Sequence, residues 1–229
     1  MLFAAQPALS EVTRSLPGHS GWSLYELVGR LVELSGQQSA ARLTAALGLV
    51  LETQLCGDHA AWVTFEHSAF FPPDAAAGGI DVESLPVVRI PSAVAAGRAA
   101  EHLVRSGGFG LVVVDLSSAA GSTRAQTMPA DLPVSLLTRL LGLVRAHHAV
   151  LLLLTQKPPE TASLNSLISL RAEARWCSRA MTHEGVGSPS GFDSSSEFVY
   201  DVCVRVIKDK RRAPGWEHVE ACRGAMGMR

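Results

Sequence analysis

The chain is short of charge of either sign in excess. It has 20 Lys and Arg against 21 Asp and Glu, a net −1. No global basic field draws it to nucleic acid, so any DNA contact needs a local patch. Its four cysteines (Cys56, Cys177, Cys203, Cys222) are far apart and form no C-x-x-C pair. That argues against a zinc site or disulfide framework and makes a reducing cytoplasm the default compartment. Long hydrophobic runs are missing too. Ala149 to Leu154 is far too short to span a bilayer and reads as a strand covered on both faces. Met1-Leu2-Phe3-Ala4-Ala5 lacks the basic n-region of a signal peptide. What remains is 47% hydrophobic and 18% charged, the profile of a packed core. A length of 229 residues suits one α/β domain, alone or with tails.

Apolar runs alternate with helical periodicity along the chain. Trp22 to Val28 has helical spacing and Arg30 to Leu34 reads as a strand. A helical run follows from Arg42 to Glu52, then a strand at Trp62-Val63-Thr64-Phe65. Pro72-Pro73 and Gly78-Gly79 read as a loop and helix break. Further strands are expected at Leu85 to Ile90, Gly110 to Asp115 and Val150 to Thr155, with helices at Ala93 to Arg105 and Leu136 to His147. Residues 116–133 read as a loop. Arg171 to Trp176 and Phe198 to Lys208 read as later strands, joined by a Gly/Ser/Pro-rich hairpin loop at Gly185 to Ser196. This alternation predicts an α/β fold: a mainly parallel central sheet with helices on both faces and antiparallel strands late in the chain. The expected organisation is an N-terminal arm at 1–20, a core at 21–215 and a C-terminal tail at 216–229.

One window carries the chemistry. A phosphate-binding loop reads G-x-x-x-x-G-K-[ST] between a strand and a helix. Here Gly36 holds the first position, but Ala41, Arg42 and Leu43 stand where the second Gly, the Lys and the hydroxyl belong. Ala resists the backbone freedom that lets the loop close on phosphate. Arg42 brings a wide planar fork where a compact ammonium fits. Leu43 cannot coordinate Mg²⁺, which takes oxygen ligands. Since phosphoryl transfer rests on positioning and charge stabilisation, these losses predict no ATP hydrolysis, no nucleotide cofactor and no bound metal. The plain alternative is a strand-to-helix turn that happens to contain Gly36.

Several stretches, in order and with matching gaps, resemble the bacterial RecA family from about Leu27 to about Gly215. They are Glu66-His67-Ser68-Ala69 with Pro73, Gly79-Ile80-Asp81 with Leu85, Ala99 to Gly107, the Val-rich strand ending at Asp115, Gln156 after a strand, and Arg205-Val206-Ile207-Lys208-Asp209-Lys210 before Ala213-Pro214. The resemblance implies a RecA-like P-loop NTPase core. It places Glu66 on the carboxylate that activates water, Asp115 on the second acidic motif near Mg²⁺, and Gln156 on the glutamine that senses γ-phosphate. All three are vestigial if the loop is disarmed. It places Lys208 and Lys210 on a pair that reaches a neighbour's nucleotide across a filament interface. The plain alternatives are strand-end carboxylates capping helices or facing solvent, and lysines on a solvated strand edge.

The departures from that family are also informative. The loop after Gln156 is short, and residues 116–133 keep Arg124 as their only base, so DNA binding is expected to be weak. A RecA-like core with a degenerate loop resembles the SulA/ImuA group of DNA-damage proteins. The ImuA side implies an SOS accessory protein that binds RecA and an ImuB-like Y-family polymerase relative in translesion synthesis. The SulA side implies a cell-division inhibitor that binds FtsZ. A RecA paralogue with residual ATP or DNA binding is the third reading. The basic segment around Arg211, Arg212 and Trp216 is a candidate docking site, since Trp and Arg are enriched at interface hot spots. Its alternative is a final strand with Trp216 packed on the core. His147-His148 end a helix, where imidazoles complement the dipole.

Overall fold

The computed structural model describes residues 21–37, 39–66, 68–117, 132–177 and 199–223. The expected arm at 1–20, His67, Arg124, the stretch 185–196 and the last methionines lie outside these residues. The elements in chain order are α1 (Leu24–Leu27), β1 (Arg30–Ser35), α2 (Ser39–Leu55), β2 (Ala60–Phe65), α3 (Pro72–Ala77) and β3 (Val87–Ile90). They continue with α4 (Ala93–Arg105), β4 (Leu111–Asp115), α5 (Val134–Ala146), β5 (Val150–Thr155), β6 (Leu170–Cys177), β7 (Val199–Asp209) and β8 (Glu217–Arg223).

All eight strands form one sheet in the order β3-β2-β4-β5-β1-β6-β7-β8. From β3 through β6 every neighbouring pair is parallel, and β7 and β8 then add antiparallel. Strands β2, β4 and β5 read as nearly continuous apolar runs, and β1 is buried along its length, because helices cover both faces of these strands. On one face α1, α2 and α3 pack over Val32, Leu34, Trp62, Val113 and Leu152. On the other, α4 and α5 pack over Leu31, Val63, Val112, Val114 and Leu151. Both clusters alternate along each strand, the period-two signature of a sheet. α4 is amphipathic, with Ala96, Ala100 and Val104 inward and Ser92 as N-cap, its hydroxyl accepting the Ala95 amide.

The expected mainly parallel sheet with late antiparallel strands is what the chain forms. Two elements differ from expectation. Pro72-Pro73 opens a helix instead of breaking one: the prolines sit in the first turn of α3, where amide donors are unsatisfied in any case. Residues 217–223, expected as an aperiodic tail, form edge strand β8, so the core extends past the boundary drawn at 215. β8 reads weakly because Glu217, Val219 and Glu220 are exposed, and its strand character comes from the ladder with β7.

Candidate functional site

The parallel topology brings four expected residues to one edge. Gly36, Glu66, Asp115 and Gln156 lie at or just past the C-terminal ends of β1, β2, β4 and β5. These strands are consecutive in the sheet, in the order β2-β4-β5-β1. In open α/β sheets this edge is where ligands bind.

Arg42 is buried near the start of α2, just after the turn that carries Gly36. In the first turns of α2, Ala41 and Arg42 point inward, 0% and 1% exposed, while Leu43 packs partly buried against the first cluster. One guanidinium nitrogen donates to the Gly36 carbonyl within the same turn. Its Nε has no hydrogen-bond partner among the described residues. The remaining charge faces Asp115 through space: burial pushes the Arg42 pKa down, and Asp115 partly restores it. Asp115 is 0% exposed. Burial pushes its carboxyl up from the ordinary range, against two hydrogen bonds from Ser117 and the charge of Arg42. Its Oδ2 has no hydrogen-bond partner among the described residues. Arg42 and Asp115 thus hold each other's charge in a water-poor site where an unpaired ion would cost several kcal/mol, on the order of 3–5.

Gly36 has its own structural reason. At φ +157° it passes so close to β6 that an added Cβ would lie 2.6 Å from the Ala174 carbonyl oxygen. Glu66 and Gln156, in contrast, are exposed. The Glu66 carbonyl accepts from Arg89 at 3.0 Å.

Lys208, Lys210, Arg211, Arg212 and Trp216 gather around β7 and the turn after it. Lys208 is half-buried opposite Arg171, and burial first, then Lys210 and Arg171, lowers its pKa against the pull of Glu33. Lys210 donates to the Ser166 carbonyl at 2.5 Å. Arg211 donates to the Val28 carbonyl at 3.0 Å. Arg212 lies 3.5 Å from Asp209, 3.7 Å from Glu26, and 3.9 Å over the Trp216 ring. Trp216 packs against the core. These residues are stitched into the fold, and Trp216 is not the freely exposed anchor that a docking segment would offer.

Three charged groups were not singled out from the sequence. Glu33, in the middle of β1, is 0% exposed. It accepts from Thr155 at 2.9 Å and the Leu164 amide at 3.0 Å, and pairs with Lys157 at 2.5 Å. Arg171 on β6 donates to the Pro158 carbonyl at 2.8 Å and to that of Thr161. Arg30 pairs with Asp209. Glu33 and Arg171 fasten the loop after β5 to the sheet, and Arg30 ties β1 to the end of β7. The available signal was a charged residue inside an otherwise apolar strand. Cys203 was also missed: burial, together with Cys177 beside it, pushes its thiol up to about 11.

The family model of the RecA N-terminal domain matches residues 24–143, just over half of the chain. This chain belongs to the RecA family. Among curated RecA proteins, that of Trichodesmium erythraeum is 43% identical over 98 residues, 43% of this chain and 27% of that protein. The RecA protein of Picosynechococcus sp. is 38% identical over 116 residues, 50% of this chain and 33% of that protein. The matched stretch therefore spans about a quarter to a third of those RecA proteins, 27% and 33%. A crystal structure of the RadB recombinase matches with a TM-score of 0.57 at 15% identity, covering 84% of this chain and 87% of that one. That likeness supports the RecA-like fold. Gly36, Arg42 and Asp115 all fall inside the RecA match. Gln156 and the Lys208 to Trp216 segment fall outside it. No helix among the described residues is long and apolar enough to cross a membrane.

Proposed function

We propose that this chain is a non-catalytic, RecA-related accessory protein of the SOS DNA-damage response. It binds RecA and an ImuB-like Y-family polymerase relative and supports error-prone translesion synthesis. The observation that carries the non-catalytic half is Arg42, buried in the phosphate seat between the Gly36 carbonyl and Asp115. A triphosphate would have to expel a guanidinium that already has an acceptor and a counter-charge. It would find no hydroxyl for Mg²⁺ at Leu43. The partner half rests on the retained RecA-like scaffold together with Lys208 and Lys210. Lys210 is exposed and can exchange its contact on the Ser166 carbonyl for one across an interface.

Three measurements test the two halves separately, the first for nucleotide and the other two for partners. Calorimetric titration with Mg·ATP should give no binding heat, and micromolar binding would remove the non-catalytic reading. Titration of a RecA filament should show capture at one end, weakened when Lys208 and Lys210 are both changed to Ala. A pull-down from DNA-damaged cells that recovers FtsZ in place of RecA and a polymerase would overturn the accessory role.

A further inference from the structure

Two thiols meet on β6 and β7, and the function proposed above uses neither. In the ladder Arg175 stands directly opposite Cys203, and Cys177 directly opposite Asp201. Cys177 and Cys203 are therefore diagonal neighbours, and the period of two along each strand puts both on one face of the sheet. The Cys177 side chain hydrogen-bonds that of Cys203. The Arg175 guanidinium joins them: its Nη2 lies 3.8 Å from the Cys203 Sγ and 3.3 Å from Glu217.

The two thiols differ in access. Cys203 is 1% exposed. Cys177 is half-buried and is the last residue of β6. An oxidant in solution therefore meets Cys177 first. Burial, then Cys177, holds the Cys203 thiol up to about 11 while Arg175 pulls it down, so Cys203 stays protonated at neutral pH and waits as the second partner. Cys56 has carboxylates for neighbours instead: burial first, then Glu52 and Asp58, push its thiol up. Diagonal neighbours start about 7–8 Å apart at Cα, slightly beyond the usual disulfide span of about 4.4–6.8 Å. The gap can close at Cys177, because its pairing with Asp201 is the last of the ladder and the strand ends there.

Touching thiols of unequal access suit stepwise oxidation. The Cys177 sulfur attacks one peroxide oxygen. The O–O bond breaks, the leaving hydroxide takes the thiol proton as water, and Cys177 becomes a sulfenic acid. The Cys203 sulfur then attacks the Cys177 sulfur. The S–O bond breaks as the S–S bond forms, and the departing hydroxide takes the Cys203 proton as a second water. Two electrons pass from the pair of thiols to the peroxide.

We propose that Cys177 and Cys203 are a peroxide-responsive pair whose reversible disulfide ties the end of β6 to β7. In a reducing compartment such a bond is transient and registers oxidant, and it is not a permanent staple of the fold. The proposal does not rest on the accessory function, and its test does not read that function.

The test is peptide mass spectrometry of the whole chain under non-reducing conditions, before and after a modest excess of hydrogen peroxide at neutral pH. A cross-linked Cys177–Cys203 peptide should appear, and dithiothreitol should return both thiols. Cys56 should keep its thiol over the same exposure. In Cys203→Ala the reaction should halt at a Cys177 sulfenic acid, trapped by dimedone. In Cys177→Ala the shielded Cys203 thiol should survive the same dose. The wild-type measurement decides whether or not either variant folds. Three results overturn the proposal: no Cys177–Cys203 peptide in the wild type, Cys177 joined instead to Cys56, Cys222 or a second copy of the chain, or undiminished oxidation of Cys203 in a folded Cys177→Ala variant.

Discussion

Arg42→Met tests whether the turn into α2 is held by a charge couple. Methionine keeps an apolar stem of similar length in place and removes the guanidinium. Arg42 and Asp115 are 1% and 0% exposed, so solvent screens their attraction little. A close pair of unit charges at an effective dielectric of about 20 attracts by a few kcal/mol, about 2–4. The bond to the Gly36 carbonyl adds about 1 kcal/mol. Freeing a buried guanidinium whose Nε is unpartnered recovers part of this, so a net loss of about 2–3 kcal/mol is expected. Asp115→Asn alone should cost a similar amount, about 2–3 kcal/mol, because it leaves the buried Arg42 guanidinium without its counter-charge while relieving a carboxyl that burial disfavours. The double variant should then show a coupling of about 2 kcal/mol in urea unfolding. The sign with pH is fixed. The folded pKa of Asp115 lies above its unfolded value, so its stabilising share is full below the unfolded value and is lost as pH rises through the folded one. Removing Arg42 lifts the folded value further. The Arg42→Met penalty should therefore shrink as pH falls and Asp115 becomes neutral. Coupling below about 0.5 kcal/mol, or a penalty that does not change with pH, would refute the couple.

Gly36→Ala should destabilise by about 1–3 kcal/mol, because its Cβ would lie 2.6 Å from the Ala174 carbonyl oxygen. An unchanged thermal midpoint would show that β1 and β6 move apart freely. Glu33→Ala strands Lys157 and the Leu164 amide, with an expected loss of about 3 kcal/mol. Hydrogen exchange should accelerate from Lys157 to Ile168, and undiminished protection of the Leu164 amide would contradict this. For Asp209, burial alone would raise the pKa, but the Arg211 amide and the Arg30 guanidinium hold it below the ordinary carboxylate range. Its share of stability is present above the unfolded value of about 3.9 and lost as pH falls through the lower folded value. Asp209→Asn should therefore flatten the acid limb of the stability curve below about pH 4, and an unchanged limb would count against the pair.

The buried parallel strands were legible because helices cover both faces, which forces nearly continuous apolar runs such as Leu111–Asp115 and Val150–Thr155. α4 was legible from its amphipathic period and its Ser92 cap. β8 was not, because an edge strand with exposed Glu217, Val219 and Glu220 carries little pattern of its own. α3 was hidden by prolines that look like breakers but suit a first turn. At the site, the departures of Ala41, Arg42 and Leu43 from the phosphate-loop pattern were legible. That Arg42 is buried facing Asp115 was not legible, since Asp115 is distant in sequence.

By itself the sequence determined the alternation of strands and helices, the RecA-like order of motifs and the departures of Ala41, Arg42 and Leu43 from the phosphate-loop pattern. Each of these is local: period, composition and spacing are set by neighbours along the chain. Only the tertiary structure decided which charges meet. Arg42 faces Asp115, Glu33 holds Lys157, Arg30 holds Asp209, and the basic turn after β7 is tied down and not free. Burial makes an unpaired charge costly, and its partner comes from whichever strand the sheet order places beside it.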